Sequence, residues 1–305
     1  MPADPHLAPA TGRRSFIGLT AVPLIASVAG TFAQALSPAT GEPMSKSTAN
    51  FATINGRKLH YQTRGHGAPL ILLHGGVMPD CFGTNVEALA QGRQVIQVHL
   101  QGHGHTPDED RPLRFESMAD DVALLIQHLG LGAADVLGYS MGGGVALQTA
   151  FRHPGAVRKL VVMAQPMRQT AWFPEVRAAF DGMATHAPQI AQNIQRSPMA
   201  TIYPEVRWEA LLRKIGELES REFDWRAEMA ALKMPTMLLF ADADALPVDH
   251  MAEFYKALGG AQRDAGLDGS LRSTARLAIL PGTTHYDLAA NPAVAGLVAG
   301  FLDAK

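Results

Sequence analysis

Short apolar runs without polar alternation recur along the chain from about residue 70 onwards. Each has the length and composition of a strand that is covered on both faces of a sheet. Segments with apolar residues at helical spacing lie between the runs, as at 115–130, 140–154 and 292–304. Strands and helices that alternate in this way predict an α/β fold with a mostly parallel, doubly wound sheet. The predicted buried strands are 70–74, 94–98, 134–139, 159–164, 235–241 and 276–280.

An antiparallel hairpin is predicted ahead of these strands. Asn55-Gly56 stands between two alternating stretches, FATI from Phe51 and RKLHYQT from Arg57. Asn-Gly in this position is the strongest short signal for a hairpin. The hairpin brings the predicted sheet to about eight strands.

The segment 166–232 interrupts the alternation of strands and helices. It contains helical patterns, many large apolar side chains and no clear strand. We therefore predict a helical cap, inserted after the sixth strand over a core formed by 51–165 and 233–305. Most of the large side chains are expected to attach the cap to the core. The cap residues predicted to line a pocket beneath it are Met167, Trp172 and Phe173.

The first 35 residues contain the parts of an export signal. Arg13-Arg14 precedes an apolar stretch and the small residues AQA, a pattern that resembles a twin-arginine signal. We expect a signal peptide over 1–35, a linker over 36–50 and a periplasmic or secreted protein. The apolar stretch is short for a membrane span, so stable membrane insertion is not expected. Met44 is an alternative start, from which the protein would be cytoplasmic.

Composition excludes several classes of partner. The 305-residue chain has a formal net charge of -2 and no basic stripe, so nucleic acid is not an expected partner. Cys81 is the only cysteine, which rules out an intrachain disulfide. His103 and His105 in the sequence GHGH are spaced as in some metal sites, but no acidic cluster of ligand spacing accompanies them. We therefore expect neither a metal nor another cofactor.

The sequence VLGYSMGGGVAL, residues 136–147, places one serine among four glycines after a predicted strand. A phosphate-binding loop would need a lysine here, and a dinucleotide-binding loop would need a different glycine spacing. Gly138-Tyr139-Ser140-Met141-Gly142 instead matches Gly-x-Ser-x-Gly between a strand and a helix. In that context the serine lies on a sharp turn that exposes its hydroxyl. The pattern predicts that Ser140 is a nucleophile.

A serine hydroxyl needs a base and an orienting acid before it can attack a carbonyl. His285 follows the last predicted strand, at the same end of the sheet as Ser140. Asp242 and Asp244 follow the preceding strand. Asp244 lies farther past the strand, where its carboxylate can turn toward His285, and we predict it to be the acid. Asp242 is expected to bind the backbone of the loop.

The chain resembles the α/β-hydrolase fold superfamily, in which the Ser, Asp and His follow the fifth, seventh and eighth strands. LLHGGVMPD resembles the family's oxyanion loop, and VHLQGHGHTPD and HPGAVRKLVV match two further segments. His99 and Gln101 stand where the family often has aspartate and arginine, which affects only the polar contacts behind that loop. The resemblance implies that the amides of Met141 and Gly76 bind the oxyanion, with Val77 as the alternative to Gly76.

The resemblance also implies a reaction class. A serine at position 140 argues against the dehalogenase and epoxide-hydrolase branches, which use an aspartate there. The apolar cap, with Val77, Met78 and Phe82 near the oxyanion loop, favours a serine esterase or lactonase acting on a small or medium hydrophobic substrate. The same residues also serve C–C bond hydrolysis and cofactor-free perhydrolysis in this superfamily. A non-catalytic ligand receptor on the same scaffold is a further alternative.

Overall fold

An eight-stranded sheet forms the centre of the computed structural model, which describes residues 48–304. The strands are β1 (Thr48–Ile54), β2 (Arg57–Arg64), β3 (Ala68–Leu73), β4 (Arg93–Val98), β5 (Ala134–Tyr139), β6 (Val157–Met163), β7 (Thr236–Ala243) and β8 (Arg276–Thr284). Their order in the sheet is β1-β2-β4-β3-β5-β6-β7-β8. β2 pairs antiparallel with both β1 and β4, and every other pair is parallel. The predicted mostly parallel α/β sheet of about eight strands is confirmed.

The antiparallel hairpin begins earlier than predicted. β1 starts at Thr48, so the last three residues of the predicted linker 36–50 belong to the sheet. The predicted signal peptide, 1–35, lies outside the described residues. Asn55 and Gly56 have φ angles of 51° and 77°. Positive φ at both central positions is what a type I′ hairpin turn requires, and this explains the Asn-Gly sequence.

Helices connect the parallel strands. Leu70, Ile71, Leu72 and Leu73 in β3 are fully buried, as expected of a strand covered on both faces. The helices are α1 (Asn85–Ala90), α2 (Phe115–His128), α3 (Met141–Arg152), α4 (Pro174–Gln195), α5 (Pro198–Ile202), α6 (Trp208–Glu219), α7 (Arg226–Met229), α8 (Val248–Ala257) and α9 (Ala293–Asp303). Among the helices of residues 48–304, none combines the length and apolar character that crossing a membrane requires.

The cap segment, residues 166–232, contains α4 to α7. α4 and α6 pack against each other at close range, because a side chain at Gly216 would lie 3.1 Å from Met183 Cβ. The segment is joined to the core by Asp108, whose buried carboxylate accepts hydrogen bonds from Lys214 at 2.7 Å and Arg207 at 2.8 Å. Position and contacts thus place these helices over the loops that follow the sheet strands.

Close packing of α3 on α2 gives a first testable prediction. A Cβ at Gly144 would lie 2.5 Å from the ring of Phe115, which is itself packed edge-on against Phe223 and Trp225. We expect Gly144→Ala to destabilise the protein by about 1–3 kcal/mol, because the buried ring has to move. The measurement is urea denaturation followed by circular dichroism.

Gly296→Ala is the matched control for this prediction. Gly296 lies in α9, it is exposed, and a Cβ there would meet no atom within 4 Å. Alanine in such an open helical position stabilises by about 0.5–1 kcal/mol. A Gly144→Ala variant as stable as Gly296→Ala would contradict the packing argument.

Candidate active site

Ser140 lies on a strained turn between β5 and α3. Its φ and ψ are 51° and -123°, in a region that residues with a side chain rarely adopt. A Cβ at Gly138 would lie 2.0 Å from the carbonyl oxygen of Gly142, and one at Gly142 would lie 2.3 Å from the carbonyl oxygen of Leu73. Both flanking positions therefore require glycine. The Gly-x-Ser-x-Gly pattern therefore reflects the lack of space for a Cβ on either side of this turn.

A chain of hydrogen bonds runs from Ser140 into the protein. Ser140 Oγ lies 3.1 Å from His285 Nε2, and His285 Nδ1 lies 2.8 Å from Asp244 Oδ1. Since the carboxylate can only accept, Nδ1 carries the proton and Nε2 is left as the acceptor of the serine hydroxyl. The structure thus brings together the three residues that the sequence singles out.

Backbone amides fix the Asp244 carboxylate. Oδ1 accepts from the Ala245 amide at 2.7 Å, and Oδ2 accepts from the Ala241 amide at 3.0 Å. The side chain is fully buried. Two amides and the imidazole therefore replace the water that a carboxylate loses on burial.

Asp242 has a different position and different partners. Its oxygens accept from the amides of Gly282 at 2.9 Å and Thr283 at 3.1 Å. These backbone hydrogen bonds lower the pKa of Asp242. The exposed carboxylate therefore binds the backbone at the end of β8 and not the ring of His285.

His285 is held from two sides. The Tyr139 hydroxyl donates to the His285 carbonyl oxygen at 2.6 Å. Trp172 packs on the imidazole with a centroid separation of 5.6 Å and an interplanar angle of 81°. Because the ring and its backbone are both fixed, the alignment of His285 with Ser140 does not depend on a bound ligand.

The loop after β3 faces Ser140. Gly76 and Val77 line the same cavity as Ser140, and Met141 follows Ser140 as the first residue of α3. Among the described residues, the amides of Gly76 and Met141 have no hydrogen-bond acceptor. His103 Nε2 lies 2.7 Å from the Gly76 carbonyl oxygen and thereby helps to fix the loop. Two amides that donate to no protein acceptor and lie next to a serine hydroxyl can donate to an oxyanion.

A mostly apolar cavity of about 150 Å³ opens beside Ser140 and His285. The loop after β3 forms one wall, and α4 and α6 of the cap segment form another. The side chains that α4 and α6 contribute are Val176, Ala179, Phe180, Met183, Ile215 and Glu219. Residues 176, 180 and 183 share one face of α4 by helical spacing, but spacing alone does not indicate which face of the helix lines the cavity.

Only part of the predicted pocket lies on this cavity. Val77 and Met78 line it, as predicted. The other four predicted residues do not line this cavity. Phe82 and Met167 are buried in the core, Trp172 packs against His285 and Phe180, and Phe173 points partly to solvent. Side chains of α4 and α6 form the wall of the cavity instead.

Cys81 also lines the cavity. Burial raises the pKa of its thiol to about 12, so it is a neutral apolar group at physiological pH. Within residues 48–304, no group of three or more His, Cys, Asp or Glu side chains has an arrangement that could hold a metal ion.

Glu219 is the feature of the cavity that the sequence did not reveal. It is 3% exposed, it lines the cavity, and its Oε2 atom has no hydrogen-bond partner among the described residues. Burial raises the pKa of Glu219 from 4.5 to about 8. The surrounding sequence, GELESRE, is typical of a solvated helix end, and so gives no signal that one of its carboxyls faces inward.

The raised pKa of Glu219 predicts a pH-dependent stability difference. Between pH 4.5 and 8 the carboxyl is protonated in the folded protein and ionised in the unfolded chain, so the wild type loses stability as pH rises. The loss approaches about 1.4 kcal/mol per pH unit. Glu219→Gln has no such loss, and its stability relative to wild type should therefore increase from pH 5 to pH 8. Urea denaturation at several pH values measures this.

Glu217→Gln is the control for that series, since Glu217 lies on the exposed face of the same helix. A difference between Glu219→Gln and wild type that stays constant over this pH range would contradict a protonated, buried Glu219.

Comparison with known proteins identifies a protein family and individual relatives that this chain resembles. A family model described as alpha/beta hydrolase fold matches residues 68–206. The AB hydrolase superfamily protein YisY of Bacillus subtilis (strain 168) is 30% identical over 220 residues, which cover 64% of this chain and 81% of that protein. The soluble epoxide hydrolase of Corynebacterium sp. (strain C12) is 38% identical over 120 residues, which cover 38% of this chain and 41% of that protein. The chain thus matches less than half of the length of that epoxide hydrolase.

Solved structures agree with this result. The enol-lactonase from Burkholderia xenovorans LB400 has a TM-score of 0.64 to this chain at 23% sequence identity. The superposition covers 84% of this chain and 100% of that one. At this level of identity the likeness concerns the fold.

Proposed function

The chain belongs to the α/β-hydrolase fold family, and on that premise we propose that it is a serine hydrolase of small or medium hydrophobic carboxylic esters or lactones. The observation that carries the proposal is the hydrogen-bonded series Ser140, His285 and Asp244 at the wall of an apolar cavity. The three side chains lie within hydrogen-bond distance in the order that acyl transfer requires.

In the proposed reaction, Ser140 Oγ attacks the substrate carbonyl while His285 Nε2 takes its proton. Asp244 stabilises the imidazolium through the Nδ1 hydrogen bond. The amides of Gly76 and Met141 donate to the oxyanion of the tetrahedral intermediate. His285 then gives its proton to the leaving alkoxide, and the alcohol departs from an acyl-serine. His285 then deprotonates a water molecule that attacks the acyl carbon. As the bond from that carbon to Ser140 Oγ breaks, His285 returns the proton to Oγ and the carboxylic acid is released.

The size and lining of the cavity support the substrate class. A cavity of about 150 Å³ lined mostly by apolar side chains accommodates a group of about the size of benzene. An acyl chain of a few carbons fits this volume. The epoxide hydrolase among the relatives does not change the proposal, because a serine stands at position 140, where that branch uses an aspartate.

The proposal predicts large losses of activity for the proposed nucleophile and base. Ser140→Ala and His285→Ala should each lower kcat by at least ~10³-fold on a p-nitrophenyl ester of a short acid. A serine-directed fluorophosphonate should label the wild type at Ser140 and leave Ser140→Ala unlabelled. Ester hydrolysis that persists in Ser140→Ala would overturn the proposal. Turnover of a vinylogous diketone without turnover of any ester would instead assign C–C bond hydrolysis.

The two aspartates provide a matched pair for the acid. Asp244→Asn should lower kcat by orders of magnitude, because an amide cannot hold His285 in the required tautomer. Asp242→Asn should keep most of the activity, because Asp242 binds the amides of Gly282 and Thr283. The opposite result, a crippled Asp242→Asn and an active Asp244→Asn, would show that the acid is misassigned.

A further inference from the structure

We propose that Glu219 selects substrates by donating a hydrogen bond to an uncharged oxygen, keto or hydroxyl, that lies away from the bond being cleaved. The proposal rests on the proposed hydrolase function, since it concerns the cavity that opens on Ser140. It names a substrate class, namely hydrophobic esters or lactones that carry one neutral oxygen acceptor in their apolar part.

The position of Glu219 at the cavity wall supports a role in substrate binding. Ile215 and Glu219 are one turn apart on α6 and both line the cavity. Gly216 allows α6 to approach α4 closely, because a Cβ at position 216 would lie only 3.1 Å from Met183 Cβ. This close approach fixes the face of α6 that looks onto the cavity. Glu219 is consequently held at the cavity wall by the packing of two helices.

The contacts of the Glu219 carboxyl argue against a purely structural role. Buried carboxyls that stabilise a fold are paired with arginine, lysine or backbone amides, as Asp135 is with Arg93 at 2.9 Å. Glu219 Oε2 is buried and has no partner among the described residues. A buried polar group without a partner is costly, and one that faces a ligand cavity obtains its partner from the ligand.

The protonation state of Glu219 indicates which kind of ligand atom it binds. Its raised pKa keeps the carboxyl neutral at physiological pH. Glu219 is also the last residue of α6, where the partial negative charge of the helix C-terminus opposes a carboxylate. A protonated carboxyl has an O–H donor, which matches a carbonyl or hydroxyl oxygen. An ammonium group would require two charges to be buried in an apolar cavity, which is less favourable.

The test compares two p-nitrophenyl esters of the same shape, 5-oxohexanoate and 5-methylhexanoate. They differ in a keto oxygen that replaces a methyl group. Wild type should favour the keto ester by roughly tenfold in kcat/KM, the effect of one additional hydrogen bond. In Glu219→Leu this preference should disappear, with the change in KM and not in kcat. Glu219→Gln keeps an N–H donor and should keep part of the preference.

Glu217→Leu is the matched control, since it makes the same substitution on the exposed face of α6. It should leave both kcat/KM values unchanged. Equal losses on both esters in Glu219→Leu would show that Glu219 serves packing and would overturn the proposal. A wild-type preference for the 6-aminohexanoate ester that Glu219→Leu abolishes would also overturn it, because the ligand would then be a cation.

A binding measurement separates this proposal from the proposed catalysis. Calorimetry with Ser140→Ala and with Ser140→Ala/Glu219→Leu compares the methyl esters of the same two acids. Roughly tenfold tighter binding of the keto ester, seen in Ser140→Ala alone, supports the role of Glu219 even if no ester is hydrolysed. Equal affinities for both ligands in Ser140→Ala overturn that role even if esters are hydrolysed.

Discussion

The backbone of Ser140 is the constraint on which the rest of the site depends. With φ at 51°, the residue projects its hydroxyl above the end of β5 instead of into the sheet. The strain persists because neighbouring atoms leave no alternative. Gly142 lies against the backbone of Leu73, and the Ser140 amide donates to the Met163 carbonyl oxygen of β6 at 2.8 Å. Substrate is therefore not needed to place the hydroxyl, which is ready before binding.

The polar series and the apolar cavity depend on each other. An imidazole and a buried carboxylate interact more strongly where water is excluded, and the cap helices provide that exclusion. The cost of burying Asp244 is offset by the amides of Ala241 and Ala245. Trp172 illustrates the coupling, because it belongs to the cap segment and packs on the ring of His285. Movement of the cap would thus also disturb the proposed base.

Features that depend on a short stretch of chain could be predicted from the sequence. Gly-x-Ser-x-Gly predicts the turn at Ser140 because the steric requirement involves residues two positions apart. Asp242 and Asp244 could be told apart because Asp242 belongs to the end of β7, whereas Asp244 follows the strand, where its carboxylate can turn toward His285. The sheet was predictable because its strands are buried on both faces and so lack polar alternation.

The cavity wall could not be predicted in the same way. Which residues face it depends on how α4 and α6 pack together, and that packing brings together residues more than thirty positions apart. Trp172 and Phe173, at the start of the cap, were predicted to line the pocket because they are large and apolar. Glu219 could not be predicted, because a buried acid in a charged stretch of sequence cannot be distinguished from its exposed neighbours without the fold.

The proposed reaction requires Ser140 to form a covalent acyl intermediate. The most direct measurement mixes the wild type with a p-nitrophenyl ester, quenches in acid within milliseconds, and locates the adduct by peptide mass spectrometry. We expect a burst of p-nitrophenol and the acyl mass on the peptide that contains Ser140. An adduct on another residue, or continued ester turnover while Ser140 stays unmodified, would contradict the proposed reaction.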